Sequence, residues 1–453
     1  RIEVICMSIV DFRSMACEDW SDADFGDKRL NERAIRIGAA FLRCPFASPP
    51  KMLRNKKDIK GFYRFMDSET VTHERLVRPH IVVARQQLAK HPVVLCVQDS
   101  TTITFERNYE IEGLYDVGNI PGVLIHNTIA VIPYENFAIV DGLLGQTILK
   151  RKPKSERGID DNEIRLWMDS IRSIGNPPEG TILVDVMDRG ADALEVMHCS
   201  KDNGHDYVLR AKYDRLLGEH GNLFEFARAL PSAGGYSVKI QGRGGKKDRV
   251  AKVDVAFSQI TLPPPKNRQD LTPLLMTIVH VREPSPITGF EPVEWLLFTS
   301  LRVESIEDAL LIVKYYTYRW IIEEYHKCMK TGFRLDRTQF KTLPRIESLL
   351  GFIAVSSVRL LQLRDIVRNN PHADALTYVE NEDVQIVRAY YDVKDTIMTI
   401  DQFLRFIAQM GGFMNRKSDG NPGWQSLWEG WKFFLGLKEG ARLQREGRIC
   451  GYR

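Results

Sequence analysis

YYTYRWIIEEYHKCMKTG, residues Tyr315 to Gly332, decides how this chain reads. Wound as one helix at about 100° per residue, it places Tyr316, Arg319, Glu323 and Lys330 at roughly 0°, −60°, −20° and −40°, within a narrow arc. A phenol, a guanidinium, a carboxylate and an ammonium then share one face, while Ile321, Ile322 and Tyr325 point elsewhere. Such a set fits a solvated face laced by i, i+4 and i, i+7 ion pairs. That is the commoner meaning of such a trio, but the set also suits a metal ion beside nucleic-acid phosphates, the acid holding the metal and the cations and phenol holding phosphate oxygens.

The order Tyr, two residues, Arg, three residues, Glu, six residues, Lys is similar to the signature of the bacterial DDE transposases of the IS-four family. The likeness extends to Trp320, the paired acids Glu323 and Glu324, His326, Lys327, Thr331 and Gly332. It implies an α/β fold, with an RNase H-like catalytic core, an all-β insertion, and helical amino- and carboxy-terminal domains on either side.

Length and composition are compatible with that. A chain of 453 residues, 43% of them hydrophobic, can bury large cores and divides into about three domains. The formal net charge of +4 is only mildly basic, so a nucleic-acid surface must come from local clusters of Lys and Arg. Cys6, Cys17, Cys44, Cys96, Cys199, Cys328 and Cys450 are odd in number and form no CxxC pair, which points to reduced thiols and away from structural zinc. No apolar run approaches the roughly 20 residues that span a bilayer, so the expected setting is the cytoplasm, at the nucleoid when DNA is bound, with no membrane partner. The sequence begins with Arg, and Met7 and Met15 are the candidate starts.

Residues 1–75 read as a helical, basic unit. Asn31 to Leu42 has the amphipathic period, Pro45, Pro49 and Pro50 break it, and Asp58 to Met66 resumes a helix beside Lys51, Arg54, Lys56, Lys57, Lys60 and Arg64. Cations interleaved with Phe62, Tyr63 and Phe65 fit either a DNA-reading module or a solvated face. Trp20, Phe25-Gly26-Asp27, Arg29-Leu30 and Tyr63-Arg64-Phe65 resemble residues of the family's end-recognition domain.

Residues 76–369 read as the mixed α/β core. The apolar strand Val93 to Val97 ends at Asp99; strands follow around Leu124 to Ile132 and Ala138 to Leu149, then a helix from Asn162 to Ile174. TILVDVMDRGAD supplies a second apolar strand and three acids. Asp185 lies within that strand, Asp192 is placed to interact with the start of the next helix, and Asp188 sits at the hinge. A bare strand-end aspartate is usually a cap or turn residue. Here Asp188-Arg-Gly-Ala-Asp resembles the family's Asp-Arg-Glu-Ala-Asp, with Gly190 in place of Glu. From about 213 to 300 the pattern turns to short alternating strands, among them Tyr236 to Gln241, Val250 to Phe257 and Leu274 to His280. The turn Gly242 to Arg249, with Arg243, Lys246 and Lys247, fits a solubilising hairpin tip or a DNA contact. Trp295 precedes Glu323 by 323 − 295 = 28 positions, the spacing of the family's base-stacking tryptophan, though an isolated strand Trp is more often core.

Arg345 to Asp365 reads as a long apolar helix packed on the core, and residues 370–453 as a helical region. There Trp424, Trp428 and Trp431 form one stripe, suited to a core or a partner helix. The resemblance, carried by Gly411 to Met414 and Leu427 to Trp431, implies dimerisation.

Asp99, Asp188 and Glu323 brought together would raise one another's pKa unless divalent cations sat among them, and an all-carboxylate set favours Mg2+, with Mn2+ as a substitute. Two such ions about 4 Å apart can drive in-line displacement at phosphorus. The resemblance implies a homodimer on paired inverted-repeat ends of double-stranded DNA, which nicks, forms and opens hairpins, and joins the ends to target DNA. The alternatives are another RNase H-like metal nuclease, such as a junction resolvase, and an inactive DNA-binding or inhibitory relative.

Overall fold

The computed structural model describes residues 11–45, 47–53, 55–105, 111–117, 120–149, 163–240, 249–285, 289–333, 340–395, 397–417 and 419–448. In chain order the helices are α1 (Phe12–Trp20), α2 (Lys28–Arg43), α3 (Pro49–Leu53), α4 (Lys56–Met66) and α5 (His73–Gln87). Strands β1 (Val93–Thr104), β2 (Tyr115–Asp116), β3 (Pro121–Pro133) and β4 (Ala138–Leu149) follow, then α6 (Ile164–Ile174), β5 (Ile182–Met187), α7 (Leu194–Asp202), β6 (Asp206–Arg210) and α8 (Leu223–Ala229). After β7 (Gly234–Ile240), β8 (Arg249–Leu262), β9 (Leu274–Arg282) and β10 (Glu294–Thr299) come α9 (Ile306–Thr317), α10 (Trp320–Lys327), α11 (Leu343–Asn369), α12 (Asn381–Tyr391), α13 (Ile400–Met410) and α14 (Trp424–Arg445).

The chain forms two compact units. One comprises Val83–Thr102 and Tyr115–Glu324. It is built on a sheet ordered β2-β3-β1-β5-β6-β10-β9-β8-β7, with β4 paired to β3. β1, β5 and β6 run parallel, and the described pairs on either side of them are antiparallel. The parallel strands carry mainly apolar runs, VVLCV in β1 and ILVDVM in β5, because helices cover a parallel sheet on its faces. A core of Trp167, Met187, Met197, Tyr207 and Phe298 lies between α6, α7 and that sheet. This is the mixed α/β core expected. Within 213–300 the strands do not form a separate lump: they extend the central sheet, and the stretch also carries α8.

Two boundaries differ from expectation. β1 does not end at Asp99; its Thr-rich continuation, STTIT, keeps extended geometry to Thr104, as β-branched residues favour. The 315–332 stretch is not one helix either. α9 closes at Thr317, and the backbone tightens through i to i−3 bonds, Arg319 N–H to Tyr316 O at 3.1 Å and Ile322 N–H to Arg319 O at 3.2 Å. It then loosens into a π turn over Cys328–Gly332. Both departures from 3.6 residues per turn are of the kind found where a helix meets a functional site.

The other unit comprises Arg1–Val82, Ile103–Leu114 and Tyr325–Arg453. Trp20 is fully buried, donates its indole N–H to Leu76 O at 3.1 Å and packs on Phe352 of α11. Asp19 is buried between His80 and Arg359. Leu343–Asn369 is long and apolar enough to cross a membrane by length and composition, contrary to the sequence reading. Its most apolar 18-residue window is 72% buried within the protein, which marks a core helix. Trp428 is buried and Trp424 and Trp431 half-buried; all three line an apolar cavity with Leu360, Phe403 and Ile407.

Candidate active site

β1 and β5 pair in parallel register from Val93↔Ile182 to Val97↔Val186. Asp99 and Asp188 each stand two residues past that last pair, so adjacent strands deliver both carboxyls at one edge of the sheet, on the same alternation phase. The three acids near 188 have different surroundings. Asp185 is fully buried and accepts from Gln98, Ser200 and His205. Asp192 is also buried, but it does not serve the following helix as expected. Its Oδ2 accepts from the backbone N–H groups of Lys212 and Tyr213, at 2.6 and 3.0 Å, and from Arg215. Asp188 alone of the three is half-exposed, its Oδ1 accepting from Gly190 N at 2.6 Å. A Cβ on Gly190 would sit 2.9 Å from that oxygen, so the departure from the family's Glu accompanies a tight turn around Asp188.

Glu323 lies in the first turn of α10. Arg319, at the break before α10, binds Glu323 Oε1 at 2.5 Å through Nη2 and approaches Asp99 Oδ2 at 3.8 Å through Nη1. The Asp99 side chain is only 18% exposed. Burial first, then the charge of Asp188, push its carboxyl from 3.8 up to about 7, with Glu323 adding to the rise and Arg319 opposing it. Burial works against the Arg319 charge, but Tyr316, Glu323 and Asp99 hold it protonated.

Tyr316 is buried rather than presented on an open face. Its ring meets the half-buried Trp295 edge-on, centroids 5.3 Å apart, and it interacts electrostatically with Arg210. Arg210 was missed by sequence reasoning. It ends the third parallel strand and is electrostatically coupled to Arg189 and Arg319, so three guanidiniums gather beside the acids. The available signal was a third apolar strand, YVL, closing on a polar residue as β5 does. Lys330 falls beyond the boundary of this unit, half-buried in the π turn. On α4, Lys56, Lys57, Lys60 and Arg64 are exposed together with Tyr63, whereas Phe62 and Phe65 belong to the core and cannot interleave with the cations. Arg243, Lys246 and Lys247 lie outside the described residues.

Comparison with known families decides the class. Three family models match: Transposase DNA-binding over residues 13–71, Transposase DDE domain over 140–359 and Transposase Tn5 dimerisation domain over 353–451. The chain is a Tn5-like DDE transposase. Its core is therefore RNase H-like, and the protein is a DNA endonuclease and strand transferase that depends on divalent metal, binds DNA and dimerises. The matched DDE span includes Asp188 and Glu323, while Asp99 precedes it. Among solved structures, a piggyBac transposase synaptic complex with hairpin DNA aligns with 94% of this chain and 83% of its own. At 11% identity and a TM-score of 0.38, that likeness is too distant to bear on the fold.

The residues of this transposase fit a divalent metal by charge and donor type. The Asp99 carboxyl, raised by burial and by the charges of Asp188 and Glu323, marks an acidic cluster whose oxygen donors suit a hard divalent cation. Among the described residues no three His, Cys, Asp or Glu side chains converge as a finished metal cage. The Arg319 guanidinium, ion-paired with both Asp99 and Glu323, provides the compensating charge instead.

Proposed function

We propose that this transposase works by cut-and-paste: it binds inverted-repeat ends, nicks them, forms and opens a hairpin at each end, and joins the freed ends to target DNA. The observation that carries this reading is the Asp99 carboxyl, raised by burial and by the nearby charges of Asp188 and Glu323, beside a cluster of arginines. Asp99, Asp188 and Glu323 would hold two divalent ions, magnesium with manganese as a substitute. Such ions would supply activation of a water or a DNA 3′-hydroxyl and charge stabilisation of the leaving oxygen.

The remaining residues bind and orient the strand. Arg319 and Tyr316 hold the phosphate next to the scissile bond, and Lys330 a neighbouring one. Trp295, half-buried against Tyr316, receives the base extruded when the strand bends into a hairpin. The exposed cations of α4, with Arg64, grip the transposon end, and Arg243, Lys246 and Lys247 contact DNA from the turn at 242–249. Residues 1–75 would form the end-binding domain, 76–369 the catalytic core and 370–453 the dimerisation domain, in a protein that acts in the bacterial cytoplasm on the nucleoid. Incubating the purified protein with the inverted repeats flanking its own gene and magnesium tests this: hairpinned ends support it, and nicked ends that never close into hairpins refute it.

A further inference from the structure

Behind the proposed metal ligands, on the opposite face of β1, lies a buried polar chain that the reaction does not use directly. Side chains alternate along a strand, so Gln98 and Ser100 point away from the face that carries Asp99. Gln98 Nε2 donates to Asp185 Oδ1 at 3.0 Å. Its Oε1 must then accept, and it faces His126 Nε2 of β3 at 3.3 Å. His126 therefore carries its proton on Nε2, and its bare Nδ1 accepts from the Ser100 hydroxyl at 2.9 Å. Burial pushes His126 down to about 3, consistent with this neutral tautomer. Ser100 in turn donates its backbone N–H to Asp99 Oδ1 at 2.8 Å.

The far end of the chain is anchored. Asp185 Oδ2 accepts from Ser200 of α7 at 2.7 Å and from His205 Nδ1 at 3.1 Å. His205 Nε2 lies 2.8 Å from the carbonyl of Gly175, which closes α6. Both ring nitrogens face acceptors, so His205 is an imidazolium and Asp185 its counter-ion, both side chains fully buried. A buried ion pair of this kind adds little net stability over an apolar pair, but it fixes geometry. The donor directions run one way, from Ser100 through His126 and Gln98 to Asp185, and each link fails if its acceptor is removed.

We propose that Gln98, His126, Asp185 and His205 are positioning residues that hold Asp99 in register with Asp188, and so set the affinity of the acidic site for its divalent ion. This rests on the proposed role of Asp99 and Asp188 as metal ligands. Partners behind a ligating carboxylate typically govern metal affinity by about 10- to 100-fold.

The test is a calorimetric titration of Mn2+ into the full-length protein bound to a pre-cut transposon end, with melting temperature measured alongside. Gln98→Leu, which keeps volume and cuts the chain, should raise the Mn2+ Kd by about 10- to 100-fold. Thr128→Val removes a buried hydrogen bond to Ser170 that lies outside this chain, and should leave the Kd at the wild-type value even if it lowers the melting temperature. Wild-type affinity in Gln98→Leu, or equal weakening in both variants, would overturn the positioning role. If Gln98→Leu does not fold, Ser100→Ala, which removes only the hydroxyl link, decides in the same way. Failure of the wild-type protein to bind Mn2+ would overturn the metal-ligand reading and this inference with it.

Discussion

Replacing Asp99 with Asn should make the metal-free protein more stable at alkaline pH, and the gain follows from the structure. The Asp99 carboxyl has a folded-state pKa of about 7 against an ordinary value of 3.8, raised by burial and by Asp188. The folded state thus binds this proton more tightly than the unfolded chain. The associated stability is fully present below about pH 4 and is lost as pH rises through about 7. At about 1.4 kcal/mol per pH unit, the full loss is about 4 kcal/mol, of which about 2 kcal/mol falls between pH 5.5 and 8. Thermal melts of wild type and Asp99→Asn in chelator at those two pH values isolate this group, since other titrations are common to both. The wild type should lose about 4 to 8 °C more than the variant for a unit of this size. Saturating magnesium should restore the wild type at the higher pH and do little for Asp99→Asn. Equal pH dependence in the two proteins would show that Asp99 is not strained by its neighbours and would remove the main support for a metal among them.

Asp99→Ala, Asp188→Ala and Glu323→Ala should each abolish cleavage in a gel assay while end binding persists, because binding rests on phosphate contacts elsewhere. Trp295→Ala should nick nearly normally and accumulate nicked DNA in a time course, with hairpin formation slowed about one to two orders of magnitude, the kinetic equivalent of about 1 to 3 kcal/mol of stacking. Gly430→Ala would put a Cβ 1.7 Å from the Ile407 carbonyl oxygen where α13 and α14 touch, so it should lower the melting temperature and prevent paired-end complexes in a native gel. Gly436→Ala, with nothing within 4 Å of the new atom, should be neutral or stabilising.

Much of this was legible in the chain because local patterns agreed with the fold. The apolar runs ending near Asp99 and Asp188 became adjacent parallel strands, and the acids landed at one edge because each follows its run by the same short distance. The choice of Asp188 over Asp185 and Asp192 came from its place at the strand-to-helix hinge and from resemblance. The structure supplies a reason, since both alternatives are buried and already hold several donors. Other features depended on contacts remote in sequence. A 3.6-residue period cannot reveal the tightening at Tyr318 and Arg319, which accompanies the packing of Tyr316 on Trp295 and the pairing of Arg319 with Glu323. Phe62 and Phe65 read as interleaved with cations until the helix phase put them in the core. Arg210 carried no motif at all; its place beside Tyr316 follows from the neighbouring strand order β5-β6-β10.

The proposed chemistry requires divalent ions held by Asp99, Asp188 and Glu323. A crystal of the protein on a pre-cut transposon end, soaked in Mn2+ and measured at the manganese absorption edge, should show anomalous density bounded by those three carboxylates, with Arg319 withdrawn from Glu323. Crystals of an active complex with no such density, or with density only elsewhere, would contradict it.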